Sequence, residues 1–408
     1  MLSLKKQSTI AIGYFFLIAF LGVILRLFPV VSISSNYKFL VHTHSHVALL
    51  GWVYTALATI IFKQYLQDVK IDKKYNRIFW FTQVTIVGML VSFPFTGYAF
   101  VSILFSTLFL VSSYMFAWLF FKFTPTKLKQ RNSYKLIRIA LWYMIISSLG
   151  PWMLGIIMQT SGQESSLYKN AIYFYLHFQY NGWFIIAVLG IFIFILEQNA
   201  VLFTKKMFNN FFWLLNSGVI ATFFISILWM KPHVLINSLS AIGSVFQLIA
   251  FVILLKLIKT KKSKLASIFS SFLVNILKIS GVLFLIKLVL QLTVCIPFIA
   301  DVISYNVDFV IGYIHWIFLG VVSIPILTFL FHYKLAIKNK TLLGVYISGF
   351  ILTEVLIFYK GIINWLELAL INNYYHYLVI ASGLILLAIF GLFLIQFKTK
   401  KNASFLKH

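Results

Sequence analysis

The chemistry in this sequence is carried by its histidines. Three of the nine stand at alternate positions, His42, His44 and His46, in the stretch VHTHSHVALLGW. On a helix advancing ~100° per residue, His42 and His46 lie roughly 40° apart on one face, and His44 points to the other side. An imidazole inside a membrane span is costly unless paired, and it marks a functional site by default. Ring nitrogens converging on one face would hold a metal ion or a haem iron. The plainer alternative is a polar helix start bonded to its neighbours, which suits a lone histidine better than a cluster of three. The one cysteine, Cys295, cannot form an internal disulfide, a Cys-ligated iron–sulfur cluster or a CxxCH haem attachment.

These side chains must be positioned by membrane helices. The 408 residues are 61% hydrophobic and 10% charged, whereas a soluble domain carries about 25% charge. The expected fold class is all-α, a polytopic bundle forming a single transmembrane domain over 1–408. Apolar runs of about 20 residues, long enough to span, fall near 8–31, 38–62, 78–95, 98–121, 136–159, 168–196, 210–230, 234–256, 266–297, 307–332, 341–360 and 373–397. The opening MLSLKK and the apolar run after it are too long for a signal-peptide core and read as the first span. No internal repeat is visible.

With the N-terminus placed inside, 27 of the 34 basic residues fall in inside segments; Arg26, Lys38, Lys169, Lys231 and Lys360 fall outside, and Lys278 and Lys287 lie within the ninth span. This alternation predicts twelve helices with both termini cytoplasmic, in a bacterial inner membrane. It also accounts for the net charge of +26 as topology signals facing an anionic leaflet, so nucleic acid is not an expected partner.

On this topology the even-numbered helices enter from the outside. His42, His44 and His46 then lie early in helix 2, His177 in helix 6, His233 at the mouth of helix 8, His315 early in helix 10 and His376 early in helix 12. His332 and His408 lie elsewhere. Seven histidines at one depth are what one or two metal centres near the outer face would need. Outer-surface histidines in wet helix ends are the plainer reading, and it suits His233 and His376 best.

Two stretches resemble a known family. HTHSHVALLG is similar to the helix 2 motif of haem–copper oxidase catalytic subunits, nearest to nitric oxide reductases and cbb-type oxidases, where the first His binds the low-spin haem. YIHWIFLG, Tyr313 to Gly320, resembles the helix 10 motif, whose second His matches His315. Read as H-x-H-x(4)-G-W, with His44, His46, Gly51 and Trp52, the first stretch is also similar to the NnrS family of twelve-helix haem- and copper-containing proteins linked to nitric oxide tolerance. The resemblance implies an oxidase subunit I-like bundle, haem b bound by His42 and His315, with His46 the fallback for His42, and a further respiratory subunit or electron donor as partner. The chain departs from the family where the copper and the high-spin haem would bind. Tyr313 replaces the high-spin haem ligand, helix 7 has no histidine, and Asn181 stands four residues after His177. The low-spin haem pair survives, and the oxygen-reducing centre is incomplete; an oxidoreductase short of a full oxygen reductase is the expectation.

A bis-histidine haem needs two neutral imidazoles on opposite faces of one iron and transfers electrons without readily binding gas. His44, His177, His233 and His376 remain for a second site, with copper the best match to an all-imidazole set. Arg26 stands at the right depth for a haem propionate, or snorkels to the interface. Glu354, the one carboxylate well inside a span, relays protons or hydrogen-bonds between helices. Lys278 and Lys287 line or snorkel, with Glu354 the sharper partner. Gly182, Gly243, Gly281 and Gly312 serve close helix packing. Competing readings are a transporter or metal permease, disfavoured by only 8 Asp plus Glu, and an assembly subunit that has lost its metals.

Overall fold

A computed structural model describes residues 2–398. Among these residues the chain is helical, without strands, and twelve helices are long and apolar enough to cross a membrane. They are α1 (Leu4–Leu27), α2 (Tyr37–Tyr65), α3 (Asp72–Thr96), α4 (Phe100–Phe123), α5 (Asn132–Thr160), α6 (Ser166–Gln198), α7 (Lys205–Met230), α8 (Val234–Thr260), α9 (Ser271–Thr293), α10 (Val307–His332), α11 (Lys340–Trp365) and α12 (Tyr374–Phe397). Spans of this kind require a lipid bilayer around them. First-turn N–H groups find caps in Asn36, Ser165, Thr204 and Asn339, which matters where water is scarce.

The expected ninth span, 266–297, is cut at both ends. Extended backbone at Phe269 and Ser270 separates a short helix, Lys262–Ile268, from α9. Pro297 opens another short helix, Pro297–Tyr305, because proline suits a first helical turn and cannot continue the preceding helix.

Three helices form the centre. The spanning windows of α2, α6 and α10 are 83%, 94% and 72% buried, against 28–50% for the other nine. Around them the chain runs as three consecutive quartets. In each, the second helix is central and the third and fourth pack as a pair (α3–α4, α7–α8, α11–α12). The last helix of each quartet packs on the first of the next, with α12 closing on α1. Position in the sequence thus sets position in the ring, and the second helix of each quartet needs apolar residues on all sides.

The repetition reaches the backbone. Each central helix passes into a π-helical turn immediately after a histidine: Val47–Tyr54 after His46, Phe178–Phe184 after His177 and Trp316–Val322 after His315. Such turns rotate the face presented by the remainder of the helix, and they concentrate at functional sites. Five residues past each histidine stands a glycine seated against an aromatic ring. A Cβ would lie 2.9 Å from Tyr14 at Gly51, 2.6 Å from Tyr143 at Gly182 and 2.7 Å from Phe350 at Gly320. Only a histidine and a glycine recur per quartet, too little for the eye to find as a repeat. Gly243 and Gly312 are packing glycines as expected, but Gly281 faces open space.

Candidate functional site

The site is built on α1, α2, α10 and α11. Asn36 caps the start of α2 by accepting from the Phe39 N–H at 3.2 Å, which fixes the turn that carries the three histidines. His44 faces α1, where Gly22 leaves room for it; a Cβ there would stand 3.3 Å from His44 Cε1. Its Nδ1 is buried and has no hydrogen-bond partner. His315 ends the regular first part of α10, and its electrostatic neighbours are Arg26 and His44. Arg26 also neighbours His44. It takes part in neither of the two ion pairs seen among the described residues, Lys231–Asp301 and Lys360–Asp308.

The helices that carry this pair are tied together below it. The Trp52 indole N–H donates to Ser323 Oγ at 2.8 Å, bonding α2 to α10, and the Trp52 ring stacks on Phe15 of α1 with centroids 4.5 Å apart. The Trp316 indole donates to the Leu283 carbonyl at 2.9 Å, and the Tyr346 hydroxyl to the Leu319 carbonyl at 2.6 Å. The last bond satisfies a carbonyl within the π-helical turn of α10, where the regular ladder is shifted. Trp52, part of the H-x-H-x(4)-G-W stretch, is therefore a structural tie. Glu354 lies nearby, 1% exposed, with both carboxyl oxygens unpartnered and Arg26 as its charged neighbour.

His42 and His46 turn the other way. The His46 ring lies on Phe93 of α3 at 4.5 Å, and the His42 ring lies against Tyr98 at the same separation. His46 Nδ1 donates to the His42 carbonyl at 2.9 Å, and Nε2 accepts from the Tyr98 hydroxyl at 3.4 Å. The expected pairing of His42, or His46 in its place, with His315 is not what the fold brings together: the 40° arc that joins these two faces α3, and His44 alone faces α1 and Arg26. Burial at the α3–α4 turn pushes the Tyr98 phenol above its ordinary value, so it stays a neutral donor.

The expected four-histidine second site is not assembled either. His177 is buried with both ring nitrogens engaged: Nε2 donates to the Val219 carbonyl at 2.8 Å, and Nδ1 accepts from the Asn181 amide at 3.2 Å. His233 is exposed and caps α8 through Nδ1, and His376 is exposed near the start of α12. Among the described residues no three His, Cys, Asp or Glu side chains stand together as a metal ion requires. His332 packs on Phe269, and His408 lies outside the described residues. Lys287 does not reach Glu354. It is buried, donating to Gln291 Oε1 at 2.5 Å and Gln247 Oε1 at 3.4 Å.

Sequence reasoning missed Gly22. Its signal was the spacing Gly22–Arg26, one helical turn, which puts a small residue and a cation on one face of α1. No family model matches the chain, and no curated protein matches it.

Proposed function

We propose that this chain is a haem-binding integral membrane protein in which His44 and His315 are the axial ligands of a low-spin haem b and Arg26 pairs with a propionate. The observation that carries the reading is the grouping of His44, His315 and Arg26 on helices bonded to one another, with His44 Nδ1 buried and unpartnered. The donor set fits the group: two imidazoles come from separate central helices, and a guanidinium outside both ion pairs is available to a carboxylate. A buried polar atom without a partner costs about 1–3 kcal/mol, and iron coordination would remove that cost.

When bound, the haem supplies one-electron oxidation and reduction. The chain's own part is to hold two neutral imidazoles on locked helices, to exclude water with the buried faces of α2 and α10, and to balance propionate charge through Arg26. Held by two imidazoles, such a group would supply electron transfer rather than gas binding. The reading keeps the likeness to haem–copper oxidase subunit I and NnrS proteins but moves the helix 2 ligand from His42 to His44. It leaves copper out, because both His177 ring nitrogens are used within the protein. The role is electron transfer, or a respiratory or nitric-oxide-linked function, with a further subunit or soluble protein as donor. The lysine-rich loops support an orientation with both termini in the cytoplasm, and the reading puts the chain in a bacterial inner membrane.

The test is a dithionite-reduced minus oxidised visible spectrum of the purified protein. A sharp low-spin haem b signal is expected, lost in His44→Ala and in His315→Ala and kept in His42→Ala. Absence of haem after expression in a haem-replete host overturns the reading and favours a transporter or assembly role.

A further inference from the structure

A second feature lies on the far side of α10 from this pair. A cavity of about 400 Å³ opens between α6, α7, α9, α10 and α11, with the short helix Pro297–Tyr305 along its rim. That volume is in the range of small-molecule sites. The rim helix is held at its middle and at its C-terminal end: Asp301 pairs with Lys231 at 3.2 Å, and the Asn306 amide donates to the Gly361 carbonyl of α11 at 2.7 Å. Most of the wall is apolar, and its polar groups are uncharged except Lys169. The Lys169 ammonium sits over the Trp229 ring, 3.8 Å from its centroid.

Three tyrosines line the wall, Tyr173, Tyr180 and Tyr313, and they succeed one another as electrostatic neighbours. Their hydroxyls are not part of the hydrogen-bond network that occupies the polar side chains behind them, which joins Lys287, Gln247, Gln291 and Thr222. At the deep end Asn181 is 3% exposed, and its Oδ1 has no partner.

We propose that this cavity binds a lipid-soluble quinone or quinol. Phenol hydroxyls donate to a quinone carbonyl and accept from a quinol hydroxyl, and the Asn181 oxygen accepts from the quinol. Aromatic walls suit a flat ring, whose pairing with tyrosine adds to simple burial. A fatty acid or phospholipid head would need a cation at the deep end. The buried Lys287 ammonium is turned to two amide oxygens, and Lys169 is committed to Trp229. A second haem would need an axial nitrogen, and both His177 nitrogens are engaged.

The test uses the purified full-length chain and decylubiquinone, read by quenching of tryptophan fluorescence, since Trp229 and Trp365 line the cavity. Saturable quenching is expected. Tyr313→Phe removes one hydrogen bond and should raise the half-saturating concentration ~3–10-fold. Ala300→Trp, which fills the cavity from the rim, should abolish saturation. Should Ala300→Trp fail to fold, Tyr313→Phe and Asn181→Leu carry the test. Quenching that does not saturate, equal half-saturation in wild type and Tyr313→Phe, or equal competition by decanoic acid overturns the proposal. So does a pyridine haemochrome assay that finds a second haem lost on Tyr313→Phe. Quinone binding is read without reference to the His44–His315 haem, so either proposal can fail alone.

Discussion

His44 and His46 stand two residues apart, and their replacement should move stability in opposite directions. In the haem-free chain His44 Nδ1 is buried without a partner. His44→Leu removes that polar atom and leaves an apolar side chain against α1. The relief should be about 1–3 kcal/mol, the usual cost of a buried unsatisfied group. His46 makes one hydrogen bond of 2.9 Å and a longer one of 3.4 Å. His46→Leu loses both, while the His42 carbonyl keeps its bond from the Ser45 hydroxyl and Tyr98 is half exposed; the loss is about 0.5–1.5 kcal/mol, the net worth of a hydrogen bond. The assay is thermal unfolding of detergent-purified protein from a haem-deficient host, where His44→Leu should melt above the wild type and His46→Leu below it. From a haem-replete host the order reverses for His44→Leu, because ligand binding to the folded state adds stability that this variant cannot gain. The difference spectrum should vanish in His44→Leu and persist in His46→Leu. A His44→Leu variant that keeps the low-spin spectrum, or that destabilises the haem-free chain as much as His46→Leu does, refutes the assignment.

Other expectations rest on single contacts. At Gly22 a Cβ would stand 3.3 Å from His44 Cε1, so Gly22→Val should displace the ring and weaken the low-spin signal, whereas Gly22→Ala should shift it slightly; equal spectra in all three proteins would count against the pair. His177→Ala leaves the buried Asn181 amide without its partner and the Val219 carbonyl with only the Thr222 hydroxyl at 3.2 Å, and should lower the melting temperature by an amount matching about 1–3 kcal/mol with the haem spectrum unchanged. Cys295 lies just past α9, 6% exposed, and burial pushes its thiol up; maleimide at pH 8 should label it slowly in the folded protein and fast in denaturant. A fluorescent protein fused to the C-terminus should fluoresce in the cytoplasm, and external protease should leave it intact; its loss would contradict the proposed orientation.

Twelve spans were legible in the sequence because each must carry about 20 apolar residues whatever it packs against. The interruption of the ninth run at Phe269 and at Pro297 was not, since hydropathy averages over a two-residue break. The depth of the histidines was likewise open to reading, because it depends only on counting helices. Periodicity alone placed His42 and His46 on one face of α2 and His44 on the other. Which face meets α10 is decided by how α1 and α3 pack on either side of α2, through Gly22 on one flank and Phe93 with Tyr98 on the other. Whether an imidazole is free or spent is also a tertiary matter. His177 looks like a ligand in the sequence, yet its two partners are a carbonyl on α7 and an amide one turn along α6. The threefold order needed the structure too. Its recurring element is a histidine, a glycine and a π-helical turn, and a backbone ladder shifted by one residue leaves no mark in residue type.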